Sequence, residues 1–283
     1  MSNLRDLCKK YHIQFKKNLG QNLLLDDNIN RIMVEAAALT KDDNVIEVGA
    51  GLGALTTRLK DQAGRVLAVE IDRAFMPCLE DQFGTVENVR LFRGDILNHS
   101  LPKLVEEFLP GGTSYKMVSN LPYYITTPVL FHFLEAPLYF SRVVIMIQEE
   151  VALRMTARAN TKAYGVLSVS AQYHADVDIV HKVPSTCFVP KPQVDSCIVR
   201  LRVREHRPYP DLAPKFLMSI VRAAFSQRRK TIKNSLTRSG TFGASEQAVM
   251  EAFEAAGMDS GRRPQTVSLD EFAALAREIK ARI

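Results

Sequence analysis

The sequence predicts an α/β fold with a mostly parallel sheet, followed by a small all-α C-terminal domain. Three observations carry that expectation. Apolar runs of strand length at 44–48, 65–69, 89–93 and just before Asn120 each end in a small or polar tip. A glycine-rich turn after the first run opens a helical pattern. Beyond about residue 205 the spacing is helical only. The expected domains are therefore 1–205, with an N-terminal arm, and 206–283.

Composition narrows the class. A chain of 283 residues with 46% hydrophobic and 24% charged residues is an ordinary globular protein. The apolar run 143–147 is far short of a membrane span, and the N-terminus lacks the apolar region of a signal peptide. Cys8, Cys78, Cys187 and Cys197 are scattered, without metal-ligand spacing. A reduced, cytoplasmic protein without a structural metal is the expectation. The net charge is +6, and residues 204–283 hold 14 Lys/Arg against 9 Asp/Glu. Nearly all the excess thus lies in the helical end, where it suits a phosphate backbone or simply a solvated helix face.

The elements follow in order. Residues 1–25 are basic and end in Leu19-Gly20-Gln21-Asn22-Leu23-Leu24-Leu25. Asp26 or Asp27 caps a helix to about residue 38, with Ile29, Ile32, Met33 and Ala36 on one face. Then Asn44-Val45-Ile46-Glu47-Val48 leads into Gly49-Ala50-Gly51-Leu52-Gly53 and a helix. The spacing is not the dinucleotide fingerprint. Glycines let a ligand approach the backbone, and a helix N-terminus favours a carboxylate. The second strand ends in Glu70, 21 residues after Gly49, which suits ribose hydroxyls. The third ends in Gly94-Asp95-Ile96, where Asp95 can accept from an adenine amine. In a parallel sheet these tips share one edge.

The fourth tip is Asn120-Leu121-Pro122-Tyr123-Tyr124. Asn both donates and accepts, and proline keeps Leu121 extended and removes a donor, so nearby carbonyls can accept from a ligand. The tyrosines offer faces for a base, although packed tyrosines at a strand-to-turn junction fit the pattern too. A helix near 128–134, a buried strand at 142–148 and a helix at about 149–158 follow, then an exposed loop at 159–164. Phe188-Val189-Pro190-Lys191-Pro192 forms a stiff loop before an alternating strand at 197–203. Phe188 covers a bound base or packs in the core. Three prolines at 208–214 mark the domain boundary. From Arg222 to Arg238 there are six basic residues and no acid, including Arg228, Arg229, Lys230 and Lys233, which makes this the candidate RNA contact. Helices near 246–256 and 269–279 complete the bundle, the last with a Ser268/Glu271 capping box.

Five segments in this order, LGQN at 19–22, EVGAGLGALT at 47–56, NLPYYIT at 120–126, FVPKPQVDS at 188–196 and AAFSQRRKTIKNSL at 223–236, resemble the ribosomal RNA adenine dimethyltransferases of the KsgA type. Leu23 stands where that family usually has Phe, and Ala50 where Pro is common. The resemblance implies a Rossmann-like S-adenosylmethionine methyltransferase domain. It implies that Asn22, Leu24, Gly49, Gly51, Glu70, Asp95, Ile96 and Asn120 hold the cofactor, and that Asn120, Leu121, Tyr123 and Phe188 hold the reacting adenine. The implied activity is dimethylation of two adjacent adenosines near the 3′ end of small-subunit rRNA, with the small ribosomal subunit as partner, no metal, and a monomer as the default. Two alternatives stay open: an Erm-type large-subunit rRNA methyltransferase and a non-catalytic assembly factor that binds RNA.

Overall fold

The computed structural model describes residues 4–13, 22–227, 229–239 and 245–283. The chain divides into two compact units. One comprises residues 1–152 and 178–205, the other 153–177 and 206–283. A break falls at Glu205/His206, but the 1–205 domain expected from the sequence is interrupted: residues 153–177 belong with the C-terminal helices.

The α/β unit begins with α1 (Leu4–Lys10), β1 (Leu23–Leu24) and α2 (Asp27–Ala37). The Asp26 side chain caps α2 by accepting the Asn28 N–H, and Ile29, Met33 and Ala36 of the expected face are buried. Next come β2 (Asn44–Val48), α3 (Ala54–Gln62), β3 (Arg65–Glu70), α4 (Met76–Phe83), β4 (Val89–Arg93), α5 (Leu101–Phe108), β5 (Tyr115–Asn120), α6 (Thr126–Leu134) and β6 (Phe140–Gln148). Helix α7 (Glu149–Thr156) and helix α8 (Val166–His174) precede β7 (Ala175–Val183), β8 (Phe188–Val189) and β9 (Ser196–Val203). The main sheet runs β4-β3-β2-β5-β6-β9-β7. Its pairs from β4 through β6 are parallel, and β6 pairs antiparallel with β9. The strand order reverses between β2 and β5, the place where ligands bind beyond the carboxyl ends of the strands. The short strands β1 and β8 form a separate antiparallel pair.

The helical unit contains α8, α9 (Pro214–Phe225), α10 (Ile232–Ser239), α11 (Glu246–Ala255) and α12 (Leu269–Lys280). Val169 and Tyr173 of α8 share an apolar core with Leu217, Val221, Phe253 and Phe272. That burial is why the segment 153–177 joins this unit. Ser268 and Glu271 form the reciprocal cap of α12: Ser268 Oγ accepts the Glu271 N–H, and Glu271 Oε2 accepts the Ser268 N–H. Among the described residues, no helix is long and apolar enough to cross a membrane.

Candidate active site

The turn after β2 is built by its glycines. Gly49 and Gly53 have φ of 80° and 81°, a region that side chains disfavour. The N–H groups of Gly49 and Ala50 both donate to the Val69 carbonyl, at 2.8 and 3.2 Å, which folds the turn against β3. A Cβ on Gly49 would sit 3.7 Å from the Asn120 carbonyl, so the turn lies directly against the tip of β5. Gly53 is the N-cap residue of α3 and has no side chain to cap it. The first-turn N–H groups keep their affinity for a negative ligand group.

Two acids border this turn. Glu70 is 5% exposed; its Oε2 accepts the Gly51 N–H and its Oε1 the Asp72 N–H, both at 2.8 Å. Burial pushes its carboxyl above the ordinary value, and these N–H donors pull it back. Each carboxylate oxygen accepts two hydrogen bonds, so the group keeps acceptor capacity for hydroxyls. Glu47, the next-to-last residue of β2, is 1% exposed and accepts the Thr56 hydroxyl at 2.6 Å. Burial pushes it up to about 8, with the charge of Glu70 adding to the shift. Asp95, at the end of β4, accepts the Leu97 N–H and the Asn98 amide, one on each oxygen, at 3.0 Å.

The tip of β5 is opened by a local divergence. β2 and β5 pair only as far as Ile46 and Met117. Beyond that point the buried Ser119 hydroxyl accepts the Val48 N–H at 2.9 Å in place of a ladder bond. Among the described residues, neither the Asn120 side-chain amide nor the Leu121 carbonyl has a hydrogen-bond partner in the protein. Two adjacent acceptors are therefore available at one strand end. The Tyr123 hydroxyl lies 2.7 Å from Ser196 Oγ. Phe188 is buried within β8, opposite Leu24 of β1, and the Leu25 N–H donates to the Cys187 carbonyl at 2.8 Å. This pairing brings the arm residues Asn22 and Leu24 to the aromatic wall.

One cavity collects these groups. Asn22, Leu24, Gly49, Gly51, Glu70, Asp95, Ile96 and Asn120 all line it, as do Leu121, Tyr123 and Phe188. Sequence reading passed over Glu47, Asn30, Ile71 and Phe75, which line it as well. Glu47 had a legible sign, a lone acid inside an apolar strand. Ile71 is exposed at the rim, as is Tyr124 at 54%. The set fits a nucleoside that carries an amino-acid chain: acids at the ends of β3 and β4, and open N–H groups at α3. Gln21 and the rest of the LGQN segment before Asn22 lie outside the described residues.

The basic candidates belong to the helical unit. Arg222 is exposed on α9, and Arg229 and Lys230 are exposed in the turn before α10. Among the described residues these three have no ion-pair partner. Lys233 lies 3.9 Å from Glu246. Arg228 lies outside the described residues.

Comparison with known proteins agrees with this geometry. The family model for ribosomal RNA adenine dimethylase matches residues 12–278. The chain is 41% identical over 279 residues to the ribosomal RNA small subunit methyltransferase A of Clostridioides difficile strain 630, covering 99% of this chain and 96% of that one. To the protein of that name from Moorella thermoacetica it is 44% identical over 270 residues, 94% and 92% of the two chains. A dimethyladenosine transferase from Plasmodium falciparum shares the fold, with a TM-score of 0.80 at 23% identity over 92% of this chain and 98% of that one. The 23S rRNA methyltransferase ErmE follows with a TM-score of 0.68 at 28% identity, over 91% and 99%. The sheet order, the site at its reversal point and the near full-length match lead to one conclusion: the chain belongs to the ribosomal RNA adenine dimethylase family.

Proposed function

We propose that this chain uses S-adenosylmethionine to dimethylate the exocyclic amines of two adjacent adenosines near the 3′ end of small-subunit rRNA, acting as a cytoplasmic monomer on the small ribosomal subunit. The observation that carries this reading is the pair of acceptors without a partner among the described residues, Asn120 and Leu121, in one cavity with Glu70, Asp95, Tyr123 and Phe188. The names of the relatives at 41% and 44% identity favour the small subunit over the large.

The bound cofactor supplies an electrophilic methyl group on a positively charged sulfur. Glu70 binds the ribose hydroxyls and Asp95 the cofactor's adenine amine, while the turn from Gly49 to Gly53 approaches its amino-acid end. An adenine amine is a poor nucleophile because its lone pair is delocalised into the ring. The Asn120 side-chain oxygen and the Leu121 carbonyl accept its two N–H bonds and favour a pyramidal nitrogen. Tyr123 and Phe188 stack on the base and offset the few kcal/mol needed to unstack it from the RNA. With the cofactor bound, its methyl would pass to this nitrogen and the S–C electron pair would leave with the sulfur, so positive charge would grow on the nitrogen. The two acceptors face that charge and hold the N–H bonds until one proton passes to solvent, which leaves a neutral methylamine. Positioning and fixed dipoles therefore carry the catalysis, and in-line displacement requires no metal. A monomethylated amine keeps one N–H, enough for one acceptor, so a second transfer is accommodated. Arg222, Arg228, Arg229, Lys230 and Lys233 bind the RNA backbone.

The test is transfer of labelled methyl groups to unmethylated small ribosomal subunits, with large-subunit RNA in parallel. Dimethyladenosine near the small-subunit rRNA 3′ end is the expected product. Label confined to large-subunit RNA would move the chain to the Erm branch, and no label with cofactor bound would leave an RNA-binding assembly factor.

A further inference from the structure

We propose that Ser196 is a positioning residue for the base slot: its hydroxyl anchors the Tyr123 ring, and the loop it terminates anchors Phe188, so one segment sets both aromatic walls. The proposal rests on the functional reading above.

Ser196 opens β9, pairs with Gln148 of β6 and is fully buried. A hydroxyl in such a place needs a partner, and it has one in the Tyr123 hydroxyl at 2.7 Å. Tyr123 sits beyond the end of β5, in the turn before α6, where no ladder holds it. Its ring lines the cavity, and its only hydrogen bond among the described residues runs from the far end of the ring to Ser196. A ring held at both ends cannot swing about its side-chain torsions, which keeps its face presented to the cavity. Burial pushes the phenol above its ordinary value, so it stays protonated and the bond persists through neutral pH.

The residue before Ser196 closes the loop. Asp195 Oδ1 accepts the Ser185 N–H at 3.0 Å, at the start of the turn that leads to Phe188. The Asp195 carbonyl accepts the Glu149 N–H at 3.0 Å. Lys182 Nζ lies 2.9 Å from Glu149 Oε1 and 3.6 Å from Asp195 Oδ2. The entrance and exit of the Phe188 loop are thus tied together beside β6, and the exit is also tied to Tyr123. Removing the Ser196 hydroxyl alone, whose hydrogen bond goes to Tyr123, should therefore act on the RNA base and spare the cofactor.

The experiment is a kinetic double-mutant cycle on small ribosomal subunits that lack the dimethyl marks. Cofactor affinity is measured by calorimetry and folding by thermal melting. Ser196→Ala should lower kcat about tenfold with S-adenosylmethionine affinity unchanged, and Tyr123→Phe, which removes only the hydroxyl, should do the same. The double variant should be no worse than either single, because both remove one bond. Wild-type kcat in Ser196→Ala, or losses that multiply to about hundredfold in the double, would overturn the proposal. If Ser196→Ala does not fold, Tyr123→Phe decides. A tenfold loss at normal cofactor affinity sustains the anchor, and wild-type kcat removes it. No transfer by the unsubstituted chain overturns the functional reading and this inference together. Normal transfer by that chain with a failed cycle overturns this inference alone.

Discussion

Among the described residues, the α/β unit buries three carboxylates, Glu47, Glu70 and Asp72, whereas the helical unit buries no charged side chain and, of polar ones, only Ser168, Ser170 and Ser235. Burying an acid favours its neutral form and costs stability unless donors offset the lost hydration. The α/β unit accepts that cost at the strand ends around its cavity, where N–H groups and the Thr56 hydroxyl compensate in part. The helical unit keeps its ion pairs, such as Arg277–Asp211 and Arg282–Glu278, at or near the surface, where solvent screens them. It also leaves Arg222, Arg229 and Lys230 exposed. Charge inside one unit suits a small polar ligand, and charge outside the other suits a long polyanion.

The largest effect should come from the inward-facing set. Asn120→Ala should lower turnover about 100-fold or more while calorimetry shows cofactor affinity largely kept, the loss that its proposed role as an acceptor at the reacting nitrogen requires. Near-normal turnover would remove the amide from the chemistry. Phe188→Ala should forfeit about 1–3 kcal/mol of base stacking, read as a raised KM for the ribosomal subunit. An unchanged KM would assign Phe188 to the core instead.

On the outward-facing side, replacing Arg222, Arg229 and Lys230 by Ala should weaken RNA binding. The slope of log affinity against log salt should flatten by about 2. Titrations at several salt concentrations measure this, and an unaltered slope would break the contrast between the units. Glu47→Gln tests the buried acids. The folded chain holds the Glu47 proton up to about 8, whereas an unfolded chain releases it near the ordinary 4.5. The wild type should therefore lose stability, relative to the variant, as pH rises from about 4.5 to about 8. Thermal melts of both proteins across that range give the difference, and parallel curves would show that Glu47 does not titrate there. The smallest effect, about 1 kcal/mol, belongs to Ser268→Ala, which removes the cap of α12. Denaturant unfolding should register it while cofactor binding in the α/β unit stays unchanged.

Much of the α/β unit was legible because its strands stop abruptly. The ends at Val48, Glu70, Arg93 and Asn120 each sit where an apolar run meets glycine, an acid or an amide. Helix α8 and strand β7 were not anticipated. β7 reads Ala-Asp-Val-Asp-Ile-Val-His-Lys-Val and is mostly half-buried, so its charged residues blur the apolar alternation of a strand. The residues named as site candidates on the strand tips could be read from chemistry at a tip. Glu47 showed only as a lone acid in an apolar strand; its raised carboxyl comes from burial, and burial is a property of neighbours distant in the sequence.

What the sequence determined by itself is the order of the strands' chemistry: glycine turn, Glu70, Asp95, then Asn120 with its aromatic pair. Local propensity, glycine and proline geometry, and apolar period decide those features within a few residues. Only the tertiary structure decided that β1 pairs with β8, that residues 153–177 fold with the C-terminal helices, and that Ser196 reaches Tyr123. These are contacts between distant segments. They form because buried donors and apolar faces must find partners, and which partner is within reach depends on the packed sheet and helices around them.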